Sequence, residues 1–298
     1  MTVSALEIGG SHVSAAVVAP SGAVGPVARA GIDGSADAAT LLGAIIAVAA
    51  QVAAPGATWG VAIPGPFDYE AGVGRYRGVG KFGALDGVDG GAAQEAGLNS
   101  APGGVHFVND AIAFALGEWA SGPAQGRSRV VALTLGTGVG SAFLYGGQPV
   151  TTGPSVPPEG RADLLTSGGR PLEDTVSTRG VLAAYHGRGG TAGATVADIA
   201  RRAAAGDSLA TDVLATAYRT LGAALRPYIR AFQAEVLVIG GGMSAARALI
   251  EPPLREGLDV RGLLITYSPG TEASALRGAA STVRGAHPVQ AARGRAGC

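Results

Sequence analysis

Short apolar runs alternate along this chain with longer segments of helical periodicity. Apolar runs bounded by glycine, proline or serine predict strands at residues 3–8, 12–18, 58–63, 105–108, 130–135, 141–145, 235–239 and 262–266. Apolar positions spaced by three or four residues predict helices at 36–53, 91–98, 111–120, 178–186, 195–204, 207–233, from about Ser244, and at 272–284. Strands interleaved with helices in this way predict a mixed α/β protein.

A polar segment at residues 121–129 separates two halves that open alike. Each half begins with a strand, a turn of glycine and hydroxyl residues, and a second strand; the turns are Gly9–Ser11 and Gly136–Gly140. This internal repeat predicts two α/β domains, with a terminal helix as a candidate to pack on the first domain and a disordered tail. The predicted bounds are 1–120 and 121–285 for the domains, 272–284 for the helix and 286–298 for the tail.

The amino-acid composition limits the kinds of partner that we expect this protein to bind. The net charge is zero, which argues against a nucleic acid held through its phosphates. The only cysteine is the last residue, Cys298, so the chain has neither an internal disulfide nor a cysteine metal site. Residues 1–20 lack the basic start of a signal peptide, and no apolar run resembles a membrane span. We expect a cytoplasmic protein without a membrane partner.

A carboxylate follows one of the predicted strands directly. The run Val105–Val108 ends in Asn109–Asp110, and a helix is predicted from Ala111. A carboxylate at a strand end and a helix N-terminus stays ionised near the positive end of the helix dipole, which suits a general base. The alternative is that Asp110 only caps the helix.

Glycine-rich turns offer sites for an anion. In Gly136–Thr137–Gly138 the backbone N–H groups can approach a phosphate closely, and the threonine adds a hydroxyl donor. A strand follows this turn, which excludes the Rossmann dinucleotide motif, and no Gly-Lys-Ser/Thr sequence of a Walker loop occurs. A plain hairpin turn is the alternative.

Two further turns have a comparable composition. Glu7 precedes Gly9–Ser11, so its carboxylate could hold Mg²⁺ through water while Gly10 and Ser11 meet a phosphate. Gly240–Gly242 follows a strand and opens a helix, which permits close approach by a flat ligand such as an adenine ring. An ordinary hairpin and a tight strand-to-helix connection are the alternatives.

Taken in order, these motifs resemble those of the actin-like ATPase (ribonuclease H-like) fold, in which two α/β domains enclose a cleft. More specifically, the chain resembles the ROK family of repressors, open reading frames and sugar kinases. The stretches that carry this resemblance lie within residues 5–246 and read LEIGGSHVSAAVV, GVAIPGPFDYEAGVG, VHFVNDAIAFALGE, VVALTLGTGVGSAFLYGG and VLVIGGGMSAA.

The resemblance implies an ATP- and Mg²⁺-dependent kinase that phosphorylates the 6-hydroxyl of a hexose. It implies that Asp110 takes the proton of the attacking sugar hydroxyl and that Asn109 binds the sugar. It further implies sugar contacts by Gly65, Glu159 and Glu173. The residues that it assigns to the nucleotide and its phosphates are Gly9, Gly10, Ser11, His12, Gly136, Thr137, Gly138, Gly241 and Gly242.

Several positions depart from the family pattern. Glu7 stands where the family usually has aspartate, and Ser11–His12 stands where it has Thr-Lys; the charge of Glu7 keeps a role in binding Mg²⁺. Most members also bind structural zinc through histidine and cysteine before the sugar-contacting glutamate. Residues 159–172 contain neither, so we expect no zinc and a 150–180 loop held by packing alone.

The predicted sugar-binding wall is also altered. Gly78–Val79 replaces the usual Asn-Leu, with Lys81 close by, and Arg161 is a candidate for the space of the missing histidine. Lys81 and Arg161 are therefore predicted sugar contacts.

The acidic residues of the second half bear on the substrate. Glu159, Glu173 and Asp174 could receive an ammonium group, which favours an aminohexose such as kanosamine, in antibiotic biosynthesis. A glucokinase and a cyclitol kinase are the alternatives. A different class is a sugar-sensing regulator or another non-catalytic sugar-binding protein; family repressors carry a winged helix-turn-helix before the first hairpin, which begins here at Val3. The resemblance also implies a homodimer.

Overall fold

The computed structural model describes residues 1–98 and 104–285 and divides them into two compact units. The first unit contains residues 1–125 together with the stretch that begins at Gly270, and the second contains residues 126–269. The division falls within the polar segment at 121–129. The predicted disordered tail at 286–298 lies outside the described residues.

The first unit is built on a five-stranded mixed sheet. The strands of the first unit, of which β5 and β6 form a separate two-stranded hairpin, are β1 (Val3–Ile8), β2 (His12–Val18), β3 (Ala28–Gly31), β4 (Trp59–Ile63), β5 (Phe67–Asp68), β6 (Val73–Gly74) and β7 (Val105–Asn109). Its first helices are α1 (Ala38–Ala49), α2 (Gly90–Leu98) and α3 (Asp110–Ser121). The sheet order is β3-β2-β1-β4-β7, with β1, β4 and β7 parallel and β2 and β3 antiparallel to their neighbours.

The second unit repeats this plan around another five-stranded sheet, with the order β10-β9-β8-β13-β14. Its strands are β8 (Arg129–Leu135), β9 (Val139–Tyr145), β10 (Gln148–Pro149), β11 (Thr166–Ser167), β12 (Arg170–Pro171), β13 (Val236–Gly240) and β14 (Leu264–Tyr267). Its helices are α4 (Glu173–Val176), α5 (Thr178–Gly187), α6 (Val196–Ala204), α7 (Ser208–Phe232) and α8 (Arg247–Leu258). The chain then returns to the first unit through α9 (Thr271–Val283).

Successive side chains of β1 and β2 point to opposite sides of the sheet, and apolar residues on both sides give the first sheet two buried faces. One face, which includes Leu6 and Ile8, packs against Leu41 and Ile45 of α1. The other face, with Val3, Ala5 and Ala16 among its members, packs against Leu276, Ala279 and Ala280 of α9. The helix that ends the described chain therefore covers one face of the sheet with which the chain begins.

Most predicted elements are present, with their ends shifted by a few residues, but several short strands and the short helix α4 were not predicted. Strand β3 was not predicted, because its four residues Ala-Arg-Ala-Gly contain no large apolar side chain, and its place is fixed by pairing with β2. The stretch 67–90 was predicted to contain neither a strand nor a helix. It instead contains the β5–β6 hairpin and the 3₁₀ turn Gly83–Leu85, and Tyr76 and Phe82 are buried in the core beside α1.

No helix within residues 1–98 and 104–285 combines the length and apolar character that crossing a membrane requires. The longest is α7, which runs on through Pro227 and buries one face in the core of the second unit.

Two glycines allow α3 and α9 to pack at very short range. A methyl group on Gly117 would lie 1.9 Å from the carbonyl oxygen of Ser274, and one on Gly278 would lie 1.7 Å from the carbonyl oxygen of Ala113. Both distances are shorter than any real contact, so each position requires glycine. This packing fixes α3, whose first residue is Asp110, against the sheet.

Gly278→Ala should destabilise the first unit, because the added methyl group collides with the backbone of α3. We expect the free energy of unfolding, measured by urea denaturation, to fall by about 1–3 kcal/mol. Gly43→Ala is the matched control, since a methyl group there, on the exposed side of α1, meets nothing within 4 Å. That variant should gain about 0.5–1 kcal/mol from helix propensity. A Gly278→Ala protein as stable as the wild type would contradict the close packing.

Candidate active site

The parallel strands of the first sheet bring their carboxyl ends to one edge. In the strand register Glu7 pairs with Ala62, and Ile63 pairs with Asn109. Neighbouring strands are about 4.8 Å apart, so the ends of β1 and β7 are separated by roughly 10 Å. Ligands of open α/β sheets bind at this kind of edge. Glu7, the loop after β4 and Asn109–Asp110 therefore meet there.

Asn109, rather than Asp110, is the N-cap of α3. Asn109 Oδ1 accepts hydrogen bonds from the backbone N–H groups of Ala111 at 3.0 Å and Ile112 at 3.2 Å. Asp110 is the first helical residue, and its Oδ1 accepts a hydrogen bond from Ala111 N at 2.9 Å. The N-cap position therefore belongs to Asn109, while Asp110 also accepts a bond from an N–H group of the first turn. The carboxylate of Asp110 is half-buried at the positive end of α3.

Two tyrosines that sequence reasoning missed organise the loop that contains Gly65. The Tyr69 hydroxyl donates to the carbonyl oxygen of Ile63 at 3.3 Å and accepts from Asn109 Nδ2 at 3.1 Å. The Tyr76 hydroxyl donates to the carbonyl oxygen of Pro64 at 2.7 Å, and burial raises the pKa of Tyr76. The ends of β4 and β7 are thereby tied together beside Asp110.

The hairpin between β1 and β2 presents backbone donors. Gly9 N donates to the carbonyl oxygen of His12 at 2.9 Å, which closes the turn. Within the part of the chain that the structure describes, Gly10 N and Ser11 N have no backbone partner. The side chain of Lys81 also reaches this hairpin and donates to the carbonyl oxygen of Gly10 at 3.1 Å. The predicted sugar contact Lys81 thus lies at a predicted phosphate site.

A charged cluster lies beneath this hairpin. His12 Nε2 lies 3.1 Å from Glu7 Oε2, and Glu272 of α9 accepts a hydrogen bond from Ser14 and pairs with Arg29 at 3.4 Å. One ligand atom from each of Glu7, His12 and Glu272 lies within 4.8 Å of the others. The second oxygen of Glu7 faces the turn, since a methyl group on Gly9 would lie 3.3 Å from Oε1.

The ion pair changes the titration of His12. The hydrogen bond to Glu7 raises the pKa of His12 above its ordinary value, although desolvation by burial opposes the shift. A raised folded-state pKa means that protonation favours the folded protein. This contribution is fully present below about pH 6.5 and is lost as the pH rises through the folded-state pKa.

The hairpin between β8 and β9 is held from a distant segment of its own unit. Thr178, the first residue of α5, donates through Oγ1 to the carbonyl oxygen of Gly136 at 2.8 Å. Glu173 Oε1 accepts a hydrogen bond from Val139 N at 3.2 Å, directly after the turn. The side chain of Thr137 is exposed. Glu173, predicted to contact sugar, therefore contacts the predicted phosphate turn, and Thr178 is a contact that the sequence did not indicate.

The glycines after β13 lie beside the same hairpin. In the register of parallel strands Gly240 pairs with Thr134, so β8 and β13 end at one edge. Gly241 has a φ of +89°, and a methyl group there would lie 2.3 Å from the carbonyl oxygen of Leu135. Both facts require glycine at 241. The structure thus brings together Gly136–Gly138 and Gly241–Gly242, the two parts of the predicted nucleotide site in the second unit.

The loop at 150–180 is held by more than packing, which corrects the expectation from sequence. Ser141 on β9 donates from Oγ to the carbonyl oxygen of Gly160 at 2.8 Å and accepts from Ala162 N at 2.7 Å. The guanidinium of Arg161 binds Asp163 at 2.6 Å and Glu159 at 3.3 Å. These contacts stabilise a loop in which Glu159 is 71% exposed.

Glu7→Gln should lower the pKa of His12, because a neutral amide no longer favours the imidazolium. NMR titration of the imidazole protons measures this, with the His12 signal assigned from its loss in His12→Gln. Glu70→Gln is the matched control, since Glu70 is exposed in the same unit and absent from the causes of the shift. An unchanged His12 pKa in Glu7→Gln would contradict the ion pair.

Comparison with known protein families matches residues 3–286 to the ROK family. Among curated proteins, the glucokinase of Thermotoga maritima is 30% identical over 210 residues, which covers 60% of this chain and 66% of that enzyme. The aligned part of the chain thus spans just under two thirds of that relative's length.

Solved structures share the fold over nearly the whole chain. A ROK family glucokinase from Streptomyces griseus, in complex with glucose and AMPPNP, has a TM-score of 0.74 at 22% identity, covering 96% of this chain and all of that one. A ROK family transcriptional regulator, a homologue of the E. coli MLC protein, has a TM-score of 0.76 at 19% identity, covering 95% of this chain and 78% of that one. With the family match, these likenesses confirm the fold that the motifs predicted. The chain belongs to the ROK family and has the actin-like ATPase fold.

Proposed function

We propose that this protein is an ATP-dependent sugar kinase that transfers the γ-phosphate to the 6-hydroxyl of a hexose. The proposal rests mainly on the different positions of Asn109 and Asp110 at the end of β7. Asn109 caps α3, so the carboxylate of Asp110 stands at the sheet edge without being needed for the cap. Family membership and the relatives named as glucokinases support the same activity.

In this proposal Asp110 accepts the proton of the sugar hydroxyl as its oxygen attacks the γ-phosphate. A sugar hydroxyl is a poor nucleophile at neutral pH, and a positioned base of this kind contributes about 10²–10⁴-fold to the rate. The N-terminus of α3 keeps the carboxylate ionised before transfer. Asn109 orients the sugar through the amide N–H that it does not donate to Tyr69.

The resemblance assigns the nucleotide to the hairpin of the first unit and, in the second unit, to the hairpin and the glycines after β13. Gly10, Ser11, Thr137 and Gly138 offer N–H and hydroxyl donors to phosphates, while Gly241 and Gly242 leave room for adenosine. Gly9 and Gly136 shape the turns.

Glu7 fits a role in binding Mg²⁺, because its Oε1 faces the first turn and Mg²⁺ prefers oxygen ligands with several waters retained. Bound there, Mg²⁺ would neutralise charge on the phosphates. His12 contributes by fixing Glu7 through its ion pair.

An aminohexose such as kanosamine and glucose are the leading candidate substrates, with a cyclitol as the third. Each carboxylate expected to receive an ammonium group has a protein partner: Glu173 binds Val139 N, Asp174 pairs with Arg179 at 2.7 Å, and Glu159 pairs with Arg161. An amino sugar would have to compete with these partners. The exposure of Glu159 is what favours the aminohexose, since surface ion pairs contribute little and exchange readily.

A sugar panel tests the proposal. Purified protein with Mg-ATP is incubated with glucose, kanosamine, or an inositol, and ADP formation is measured by a coupled assay. We expect ADP formation that depends on a hexose and far exceeds the rate without sugar. Faster turnover with kanosamine than with glucose would support an aminohexose kinase, and the reverse a glucokinase.

The same assay separates a kinase from the regulator class of the family. A sugar-sensing regulator would bind a sugar, as seen by calorimetry, and form no ADP with any member of the panel. That result would contradict the proposed function.

A further inference from the structure

The chain contains one lysine, Lys81, and the structure places its ammonium group at the hairpin of the predicted phosphate site. Lys81 Nζ donates to the carbonyl oxygen of Gly10 at 3.1 Å, across 71 positions of the sequence. A methyl group on Gly10 would lie 2.7 Å from Nζ, so glycine at this position is what allows the ammonium to approach. The hydrogen bond between Lys81 and Gly10 is therefore part of how the first unit is packed.

The side chain of Lys81 is supported along its length. Its Cβ and Cγ pass Gly34, where an added methyl group would lie 3.4 and 3.5 Å away. The next residue, Phe82, is 2% exposed, and its N–H donates to the carbonyl oxygen of Gly34 at 2.7 Å. A buried neighbour and a packed stem hold the half-buried Lys81 in this direction.

Lys81 forms no ion pair among the described residues. A carboxylate, that of the exposed Asp33, does lie within its electrostatic reach, since hydrogen bonds from Ser35 and, to a smaller degree, the charge of Lys81 lower the pKa of Asp33. Among the described residues, every ion pair uses arginine or histidine as its cation, and Lys81 belongs to none of them. An ammonium group has three N–H donors, and the bond to Gly10 uses one. Two donors, on an ammonium group that no ion pair engages, are left to meet an anion at this hairpin.

Other donors stand beside this ammonium group. Gly10 N and Ser11 N have no backbone partner in residues 1–98 and 104–285, and the Ser11 side chain is exposed. Successive backbone N–H groups in a turn form a concave anion site. Lysine is a common phosphate ligand in such sites because its ammonium is a compact point charge.

We propose that Lys81 binds a phosphate group of the nucleotide at the Gly9–Ser11 hairpin and does not contact the sugar. This inference rests on the proposed function, which places a nucleotide phosphate at Gly10 and Ser11. The bond to Gly10 would hold the ammonium in place before the nucleotide arrives, so that little side-chain freedom is lost on binding.

Calorimetry on the full chain tests this without relying on turnover. Binding of MgATP, of adenosine and of the preferred sugar is measured for the wild type, Lys81→Met and Arg77→Met. Arg77 is the matched control, because it carries the same charge in the same loop but is 93% exposed and paired with Asp86. We expect Lys81→Met to weaken MgATP binding about 10- to 100-fold and to leave adenosine and sugar binding unchanged. Arg77→Met should leave all three unchanged.

Several outcomes would overturn the inference. Equal MgATP affinity in Lys81→Met and the wild type, or a loss confined to the sugar, would exclude a phosphate contact. Equal losses for MgATP and adenosine would mean that Lys81 only supports the fold. A wild-type protein that binds no MgATP would instead contradict the proposed function itself.

A spectroscopic readout tests the same contact directly. Reductive methylation with ¹³C-formaldehyde labels Lys81 and the N-terminal amine alone, since the chain has no other lysine. We expect MgATP to shift the dimethyl-lysine signal and adenosine to leave it in place. A dimethyl-lysine chemical shift that does not change at a saturating concentration of MgATP would contradict the proposal.

Discussion

The parallel pairing of β1, β4 and β7 is the constraint on which the proposed site depends. Because these strands run in one direction and in a fixed register, Glu7, the loop after Ile63 and Asn109–Asp110 must end at one edge of the sheet. A register slip of one residue would turn each of these side chains to the opposite face. The packing of α9 on that sheet, and of Gly278 against α3, makes such a slip costly.

Both hairpins follow one structural principle. In each, the carbonyl oxygen of a turn glycine accepts a hydrogen bond from a side chain far along the sequence: Lys81 for Gly10 and Thr178 for Gly136. With the carbonyl engaged in this way, the N–H groups that are not bonded within the turn, such as Gly10 N and Ser11 N, are the polar backbone groups available to a ligand. The repeat seen in the sequence therefore extends to how each turn is held, although one partner is charged and the other is a hydroxyl.

Most of the fold could be predicted from the sequence, because apolar periodicity reports burial directly. For the site, the sequence could predict only features that involve neighbouring residues. The sequence places Asn109 and Asp110 together, but it cannot decide which one caps the helix; that follows from Asn109 still being paired in the sheet with Ile63. The contacts of Tyr69, Lys81 and Thr178 depend on tertiary packing, and no local pattern signals them. Glu173 was assigned to the sugar by the family resemblance, and no local pattern signals the hydrogen bond that it accepts from Val139 N beside the second hairpin.

The central claim is that Asp110 acts as the base, and Asp110→Asn tests it most directly. The amide keeps nearly the same shape and polarity at the N-terminus of α3 but cannot accept the hydroxyl proton. We expect single-turnover phosphoryl transfer from MgATP to the preferred sugar to slow by at least about 10²-fold, with nucleotide and sugar affinities measured by calorimetry unchanged. Transfer at the wild-type rate in Asp110→Asn would contradict the account.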